Sequence, residues 1–345
     1  MKRFLSTTTR ILVTVLAMLG IVWTESAAQP KIKLRPDETV LLYGENLVDN
    51  IDPVVGAKVT SAGFEKTCDN GMSGVETLPP NGNLGNINDN ARFDLYFPKK
   101  PNGQMVVVCP GGGYWIVSSY NEGLYTADWF LSKGITVAVV KYRLPNGHWE
   151  VPLTDVQNTF RYCRAHAAEW GVKQIGVIGF SAAGHLACSA SNLFVDEVTR
   201  PDFSILLYPV ITFGVKTHGG TKLNLIGTED KWNDRSKSVN QWEEDMKLYN
   251  ELMTRYSLEN SVSEKTPVTF ITHCTDDNVV PVINSIEYYK SLIDKGVDTE
   301  MHIFPKGGHG WGFSSERIVG KGQDRFVYAR LEFENSLERW LKSIY

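Results

Sequence analysis

Residues 175–187 read IGVIGFSAAGHLA, an apolar strand that turns at Ser181 into a run of small helical residues. A strand, a sharp turn and a helix in this order form a nucleophile elbow, which lifts a serine hydroxyl clear of the backbone and aims the helix N-terminus at it. The usual glycine two residues after the serine is replaced by Ala183, and Gly184 follows one residue later. We therefore expect a slightly widened elbow with Ser181 as the nucleophile. A Gly-Ser turn of a Rossmann-like sheet would also explain this segment taken alone.

The sequence around the elbow alternates short β-rich runs with longer helical runs from about residue 90 onward. This alternation is typical of an α/β protein with a mostly parallel sheet covered by helices on both faces. Continuous apolar runs at 105–108 and 136–140 indicate central strands that are buried on both sides. The predicted strands are 92–97, 105–109, 135–140, 175–180, 204–208, 268–273 and 299–304. The predicted helices are 122–132, 153–169, 182–193, 283–294 and 325–342.

Two regions depart from the alternation. The polar, tryptophan-containing stretch 212–265 includes an amphipathic run near 242–256 and precedes a late strand. We expect it to form a cap or lid over the site, with an ordinary surface excursion as the alternative. Residues 29–90 are rich in Gly, Asn and Pro, and their pattern assigns only a few leading strands.

A glycine-rich loop, CPGGGY at residues 109–114, directly follows a buried strand upstream of the elbow. Acyl transfer requires backbone N–H groups that point at the oxygen on which negative charge develops, and successive glycines can present them. We predict Gly112, Gly113 and Ala182 as the oxyanion-hole donors. A phosphate-binding loop is the alternative, but neither GxGxxG nor GxxxxGK[ST] is present.

Two aspartates follow the predicted strand 268–273, at the edge of the sheet where active-site loops gather. Asp277 lies four residues before Pro281, the spacing of a D-x-x-V-P turn, whereas Asp276 lies five residues before it. We therefore predict Asp277 as the acid, and Asp276 remains the alternative.

Of the seven histidines, His309 alone lies in a glycine-lined loop just beyond the last predicted strand, GGHGWG at 307–312. There it can turn toward Ser181 while Asp277 holds its tautomer. The other six lie in predicted helices or strands or come before the acid; they are His148, His166, His185, His218, His273 and His302.

Composition and the N-terminus narrow the class of protein. The chain has 345 residues, a hydrophobic fraction of 42% and a formal net charge of -4, as expected for a globular domain with no nucleic-acid partner. Lys2 and Arg3 precede a short apolar run at 11–23, and Ser26-Ala27-Ala28 resembles a signal-peptidase site. We expect residues 1–28 to be a signal peptide and residues 29–345 to be a single exported domain. A membrane anchor is the alternative, but the apolar run is short for one.

The cysteines and histidines give no sign of a metal or a disulfide framework. The five cysteines are an odd number and lie mostly where small buried hydrophobic residues are expected. No CxxC motif or His-rich spacing occurs, and no cofactor is expected.

The segments 109–114, 141–148, 179–186, 276–285 and 304–312 resemble the esterases of the α/β-hydrolase superfamily that include bacterial acetyl xylan esterases. The resemblance implies an α/β-hydrolase fold in which Ser181, Asp277 and His309 form the catalytic triad. It also implies removal of small acyl groups, commonly acetyl, from plant polysaccharides or their fragments by a periplasmic or secreted enzyme.

Three other functions stay open at this stage. A feruloyl esterase uses the same machinery with a larger acyl pocket, and a serine peptidase of the prolyl oligopeptidase type has similar motifs. A carbohydrate-binding protein could keep the fold without catalysis. Four aromatic residues near the predicted site are candidates for stacking on sugar rings, although packing explains them equally well: Tyr114, Trp115, Trp149 and Trp311.

Overall fold

The structure is a computed structural model that describes residues 34–43, 83–87, 91–313 and 327–345. The expected signal peptide and its cleavage site lie outside these residues. So do Cys68 and most of the stretch before residue 91. The other four cysteines are buried and unpaired, as expected from their positions: Cys109, Cys163, Cys188 and Cys274.

Eight strands of the described residues form one sheet in the order β1-β3-β6-β4-β7-β8-β9-β10. Pairing is antiparallel from β1 to β3 and from β3 to β6, and it is parallel across the rest of the sheet. Strands β2 and β5 form a separate antiparallel pair. The strands are β1 (Glu38–Leu41), β2 (Asn83–Leu84), β3 (Arg92–Tyr96), β4 (Gln104–Cys109), β5 (Val117–Ser118), β6 (Thr136–Lys141), β7 (Gln174–Phe180), β8 (Phe203–Leu207), β9 (Val268–Cys274) and β10 (Thr299–Phe304).

Helices cover both faces of this sheet, and two apolar clusters fill the spaces between helices and strands. The central strand β4 is buried along its whole length, because the continuous apolar run places side chains in both clusters. The α-helices are α1 (Tyr125–Ser132), α2 (Val151–His166), α3 (Ser181–Asn192), α4 (Gly219–Ile226), α5 (Glu229–Trp232), α6 (Val239–Arg255), α7 (Ile283–Asp294) and α8 (Val327–Ser343). A π-helical turn, Ser119–Leu124, leads into α1, and a 3-10 turn, Leu258–Asn260, follows α6.

The seven strands and five helices predicted from residue 90 onward are confirmed, with ends shifted by one to three residues in most cases. At 122–132 the first turn is π-helical and the α-helix begins at Tyr125. Helices α4, α5 and α6 form the insertion between β8 and β9. None of the helices in the described ranges is long and apolar enough to cross a membrane.

Candidate active site

The turn between β7 and α3 is a nucleophile elbow. Ser181 has a φ of 54°, a left-handed conformation that is rare for a residue with a side chain and typical of strained functional turns. A Cβ at Gly179 would lie 2.0 Å from the carbonyl oxygen of Ala183 and 2.6 Å from the Cβ of Ala187. Only glycine fits there, so Gly179 is what allows the turn to approach the helix so closely.

Gly184 supplies the close approach that the alanine at 183 does not. A Cβ on Gly184 would lie 2.6 Å from the Cβ and 2.7 Å from the Cα of Pro209, which follows β8. The methyl group of Ala183 is buried at the neighbouring position. The departure from the usual motif therefore moves the essential glycine by one residue instead of removing it.

A pair of substitutions on α3 tests this explanation. Gly184→Ala is expected to lower the free energy of unfolding by about 1–3 kcal/mol, because the added methyl group forces Pro209 and the helix apart. Ala183→Gly on the same turn is expected to cost about 1 kcal/mol in helix propensity and about 0.8 kcal/mol for the buried methyl group that it removes. Denaturant unfolding of the two variants measures both values. A Gly184→Ala variant as stable as the wild-type protein would contradict a tight contact at Gly184.

The structure brings Ser181, His309 and Asp277 together in one line of hydrogen bonds. Ser181 Oγ lies 2.8 Å from His309 Nε2, and His309 Nδ1 lies 2.6 Å from Asp277 Oδ2. Donation from Nδ1–H to the carboxylate leaves Nε2 free to accept the serine proton. The Asp277 side chain is buried, whereas His309 keeps 15% of its side-chain surface exposed. The arrangement allows the partly exposed imidazole of His309 to take the proton of the Ser181 hydroxyl.

Further donors hold the Asp277 carboxylate in place. Its Oδ1 accepts hydrogen bonds of 2.9 Å from the amides of Val279 and Val280. On the other oxygen, His273 Nε2 lies 3.3 Å from Oδ2. Burial acts to raise the pKa of Asp277, but the hydrogen bonds from His273 and His309 outweigh it and lower this pKa below its ordinary value. The carboxylate is therefore ionised at neutral pH.

His273 is a contact that the sequence did not predict. Its position before the acid in the chain argues against it as the catalytic base. Its position on β9 nevertheless places its ring beside the carboxylate that follows the strand. The signal available was its separation of four residues from Asp277.

Asp276 contacts a different part of the site from Asp277. Its Oδ1 accepts a 2.8 Å hydrogen bond from the amide of Gly308, and its Oδ2 accepts a longer one of 3.3 Å from Gly307. It therefore anchors the glycine loop that carries His309, while the ring of His309 contacts Asp277.

The glycine-rich loop after β4 lies against the elbow. A Cβ on Gly111 would lie 3.2 Å from the Cβ of Ser181, and the Gly111 amide donates to Glu122 Oε2 at 2.7 Å. Gly112 and Gly113 have positive φ values of 130° and 68°. Among the described residues, none accepts a hydrogen bond from the amide of Gly112 or Gly113.

The four aromatic candidates separate into two groups. Tyr114 is 1% exposed and its hydroxyl contacts His185, and Trp311 is 2% exposed and packs edge-on against Tyr208. Both rings belong to the core, which favours packing over stacking on a sugar for these two residues. Trp149 is half-buried and packs against Trp232. Trp115 alone of the four is well exposed, at 47%.

The insertion between β8 and β9 contacts this site through α4. Asn224 donates from Nδ2 to the carbonyl oxygen of Gly113 at 2.8 Å, and its own carbonyl accepts from the amide of Gly147. His218 caps the start of α4. Burial lowers the pKa of His218, and nearby His309 lowers it further. The insertion thus borders the glycine-rich loop after β4.

No three His, Cys, Asp or Glu side chains of the described ranges come together in a way that suits a metal ion.

Three known proteins are similar to this chain. An acetylxylan esterase from Xylanibacter ruminicola is 35% identical over 266 residues, which are 75% of this chain and 50% of that protein. Endo-1,4-beta-xylanase B from Butyrivibrio fibrisolvens is 31% identical over 222 residues, or 59% of this chain and 32% of that protein. The crystal structure of an acetyl ester-xyloside bifunctional hydrolase from Caldicellulosiruptor lactoaceticus superposes with a TM-score of 0.59 at 32% identity, covering 74% of this chain and 88% of that chain.

The fold and these similarities class the chain with the proteins of the α/β-hydrolase fold. A profile of the BD-FAE family matches residues 93–292, more than half of the chain, so the chain belongs to the BD-FAE family. The resemblance to acetyl xylan esterases expected from the sequence is confirmed. The chain spans about half the length of the matching acetylxylan esterase and about a third of the matching xylanase.

Proposed function

We propose that this protein is a serine esterase that removes small acyl groups, acetyl above all, from plant polysaccharides or oligosaccharides such as acetylated xylan. The observation that carries the proposal is the unbroken line of hydrogen bonds from Ser181 through His309 to Asp277. Relatives named for acetylxylan and xylan support the substrate class. Export, which the N-terminal sequence predicts, would bring the enzyme to such material.

In the proposed cycle, His309 Nε2 takes the Ser181 proton as Oγ attacks the ester carbonyl. The imidazolium that forms is stabilised by the ionised Asp277. Collapse of the tetrahedral intermediate releases the sugar alcohol, which receives its proton from His309 and leaves Ser181 acylated. A water molecule then repeats both steps on the acyl-enzyme and regenerates the serine.

The oxyanion of each intermediate is proposed to lie between the amides of Gly112, Gly113 and Ala182. The first two come from the loop after β4 and have no acceptor among the described residues. Ala182 is the first residue after the nucleophile, at the N-terminus of α3, where the helix dipole also favours negative charge. The Gly111 amide is excluded from this role because Glu122 occupies it.

A comparison of three substrates tests the proposal. Purified protein is incubated with p-nitrophenyl acetate, acetylated xylan and methyl ferulate in parallel, with Ser181→Ala as the background. We expect release of acetate from both acetyl substrates, and kcat/KM for p-nitrophenyl acetate at least about 10-fold above that for methyl ferulate.

The other outcomes separate the remaining functions. Preference for methyl ferulate would overturn the acetyl assignment and favour a feruloyl esterase. Rates at the Ser181→Ala background on all three substrates would overturn the esterase proposal and leave the peptidase or the carbohydrate-binding protein.

A further inference from the structure

Glu122 is a buried carboxylate beside the proposed oxyanion hole that the proposed cycle does not use. It lies in the π-helical turn before α1, and only 4% of its surface is exposed. Its Oε2 accepts the Gly111 amide at 2.7 Å, and its Oε1 accepts the hydroxyl of Tyr208 at 2.9 Å. Burial of a carboxylate is costly unless such partners compensate for the lost water. The two hydrogen bonds from Gly111 and Tyr208 therefore indicate why a carboxylate can be buried at this position.

Tyr208 extends the contact to the loop that carries His309. The amide of Gly312 donates to the Tyr208 oxygen at 3.0 Å. Since that oxygen accepts from Gly312, its own hydrogen is directed to Glu122. Burial and the adjacent Glu122 raise the pKa of Tyr208 well above its ordinary value, so the phenol keeps this hydrogen. The Tyr208 ring also lies against His309, with ring centroids 4.8 Å apart.

A second side chain of the same turn also contacts the histidine loop. Asn121 Nδ2 donates to the carbonyl oxygen of Gly310 at 3.3 Å. Single π-helical turns occur frequently at functional sites, because the extra residue redirects side chains. Here the turn presents Asn121 and Glu122 to the two loops at once.

We propose that Glu122 is a positioning residue that sets the distance between the oxyanion loop and the His309 loop, acting through Tyr208. One carboxylate binds the amide preceding Gly112 and, by way of the phenol, the amide three residues after His309. The proposal rests on the proposed esterase function, since it assigns these two loops to one reaction. A displacement of about 1 Å in such groups costs on the order of 10²-fold in rate.

Two conservative variants test the link. In Glu122→Gln only the amide oxygen can accept, so either Gly111 N–H or Tyr208 O–H faces an NH₂ group. Tyr208→Phe keeps the ring and removes both hydrogen bonds of the phenol. Each variant is expected to lower kcat for p-nitrophenyl acetate by about 10–100-fold, with KM changed less than about 3-fold. The double variant is expected to have the same kcat as the less active of the two single variants.

The inhibition constant of a transition-state analogue is a measurement that a loss of stability alone would not change. Phenylboronic acid forms a tetrahedral adduct with an active serine, and its inhibition constant is expected to rise by about the factor by which kcat/KM falls. Tyr288→Phe is the matched control, because its buried hydroxyl bonds Asn192 away from both loops. It is expected to change the Tm but not kcat.

The outcomes are separable from those of the proposed function. Wild-type rates and inhibition constants in Tyr208→Phe, alongside an inactive Ser181→Ala, would overturn the positioning role and leave the esterase standing. Additive losses in the double variant would also overturn it, because two residues in one chain of contacts must couple. If Glu122→Gln does not fold, Tyr208→Phe decides, since it leaves the carboxylate in place. An inactive wild-type protein would instead refute the proposed function.

Discussion

Ser181→Ala is expected to lower kcat for p-nitrophenyl acetate by about 10⁵–10⁶-fold, as the loss of the nucleophile does in serine hydrolases that work through a triad. Alanine has the same Cβ as serine, so the strain of the positive φ at this position is unchanged and the fold is expected to persist. Steady-state kinetics and the Tm of the variant check the two halves of this expectation.

The control for this variant lies on the same helix. Ser189 is buried on α3, and its hydroxyl bonds the carbonyl oxygen of His185 at 2.8 Å. Ser189→Ala removes an identical group eight residues away and is expected to keep wild-type kcat. Hydrolysis retained by pure Ser181→Ala would show that another residue attacks the ester. An equal loss in both variants would point to damage of the helix.

Much of the scaffold was predictable because its signals are local. The strands at 105–109 and 175–180 are continuous apolar runs, and such runs indicate burial on both faces. Chain order then limited the acid and the base to residues after late strands, which is where Asp277 and His309 meet Ser181. Their catalytic roles stay predictions that the kinetics must test.

Other features depend on contacts between distant segments, and no local pattern encodes them. Glu122 looks like a solvent-facing helical residue in the sequence, and it is buried only because Gly111 and Tyr208 converge on it. Tyr114 and Trp311 lie in glycine-rich loops near the predicted site, and the sequence left both stacking on a sugar and packing open for them. Both rings are buried, and their burial depends on contacts with distant segments, such as those of Tyr114 with His185 and of Trp311 with Tyr208.

The choice between Asp276 and Asp277 leads to the second large effect. Asp277→Asn is expected to lower kcat/KM for p-nitrophenyl acetate by about 10³–10⁴-fold. The amides of Val279 and Val280 both donate to Oδ1, so they select the carbonyl oxygen of the asparagine. Its NH₂ group then faces His309 Nδ1. A donor at this position forces the proton of His309 onto Nε2, and that nitrogen can no longer accept the proton of Ser181.

Asp276→Asn is the matched comparison, because it makes the same chemical change one residue earlier. The asparagine oxygen can still accept the stronger hydrogen bond from the Gly308 amide, so only the weaker one from Gly307 is lost. We expect kcat/KM to fall by no more than about 10-fold, the scale of one neutral hydrogen bond that positions a loop. A reversed order of the two losses would make Asp276 the acid. That result would also require the His309 loop to turn away from the carboxylate it contacts at 2.6 Å.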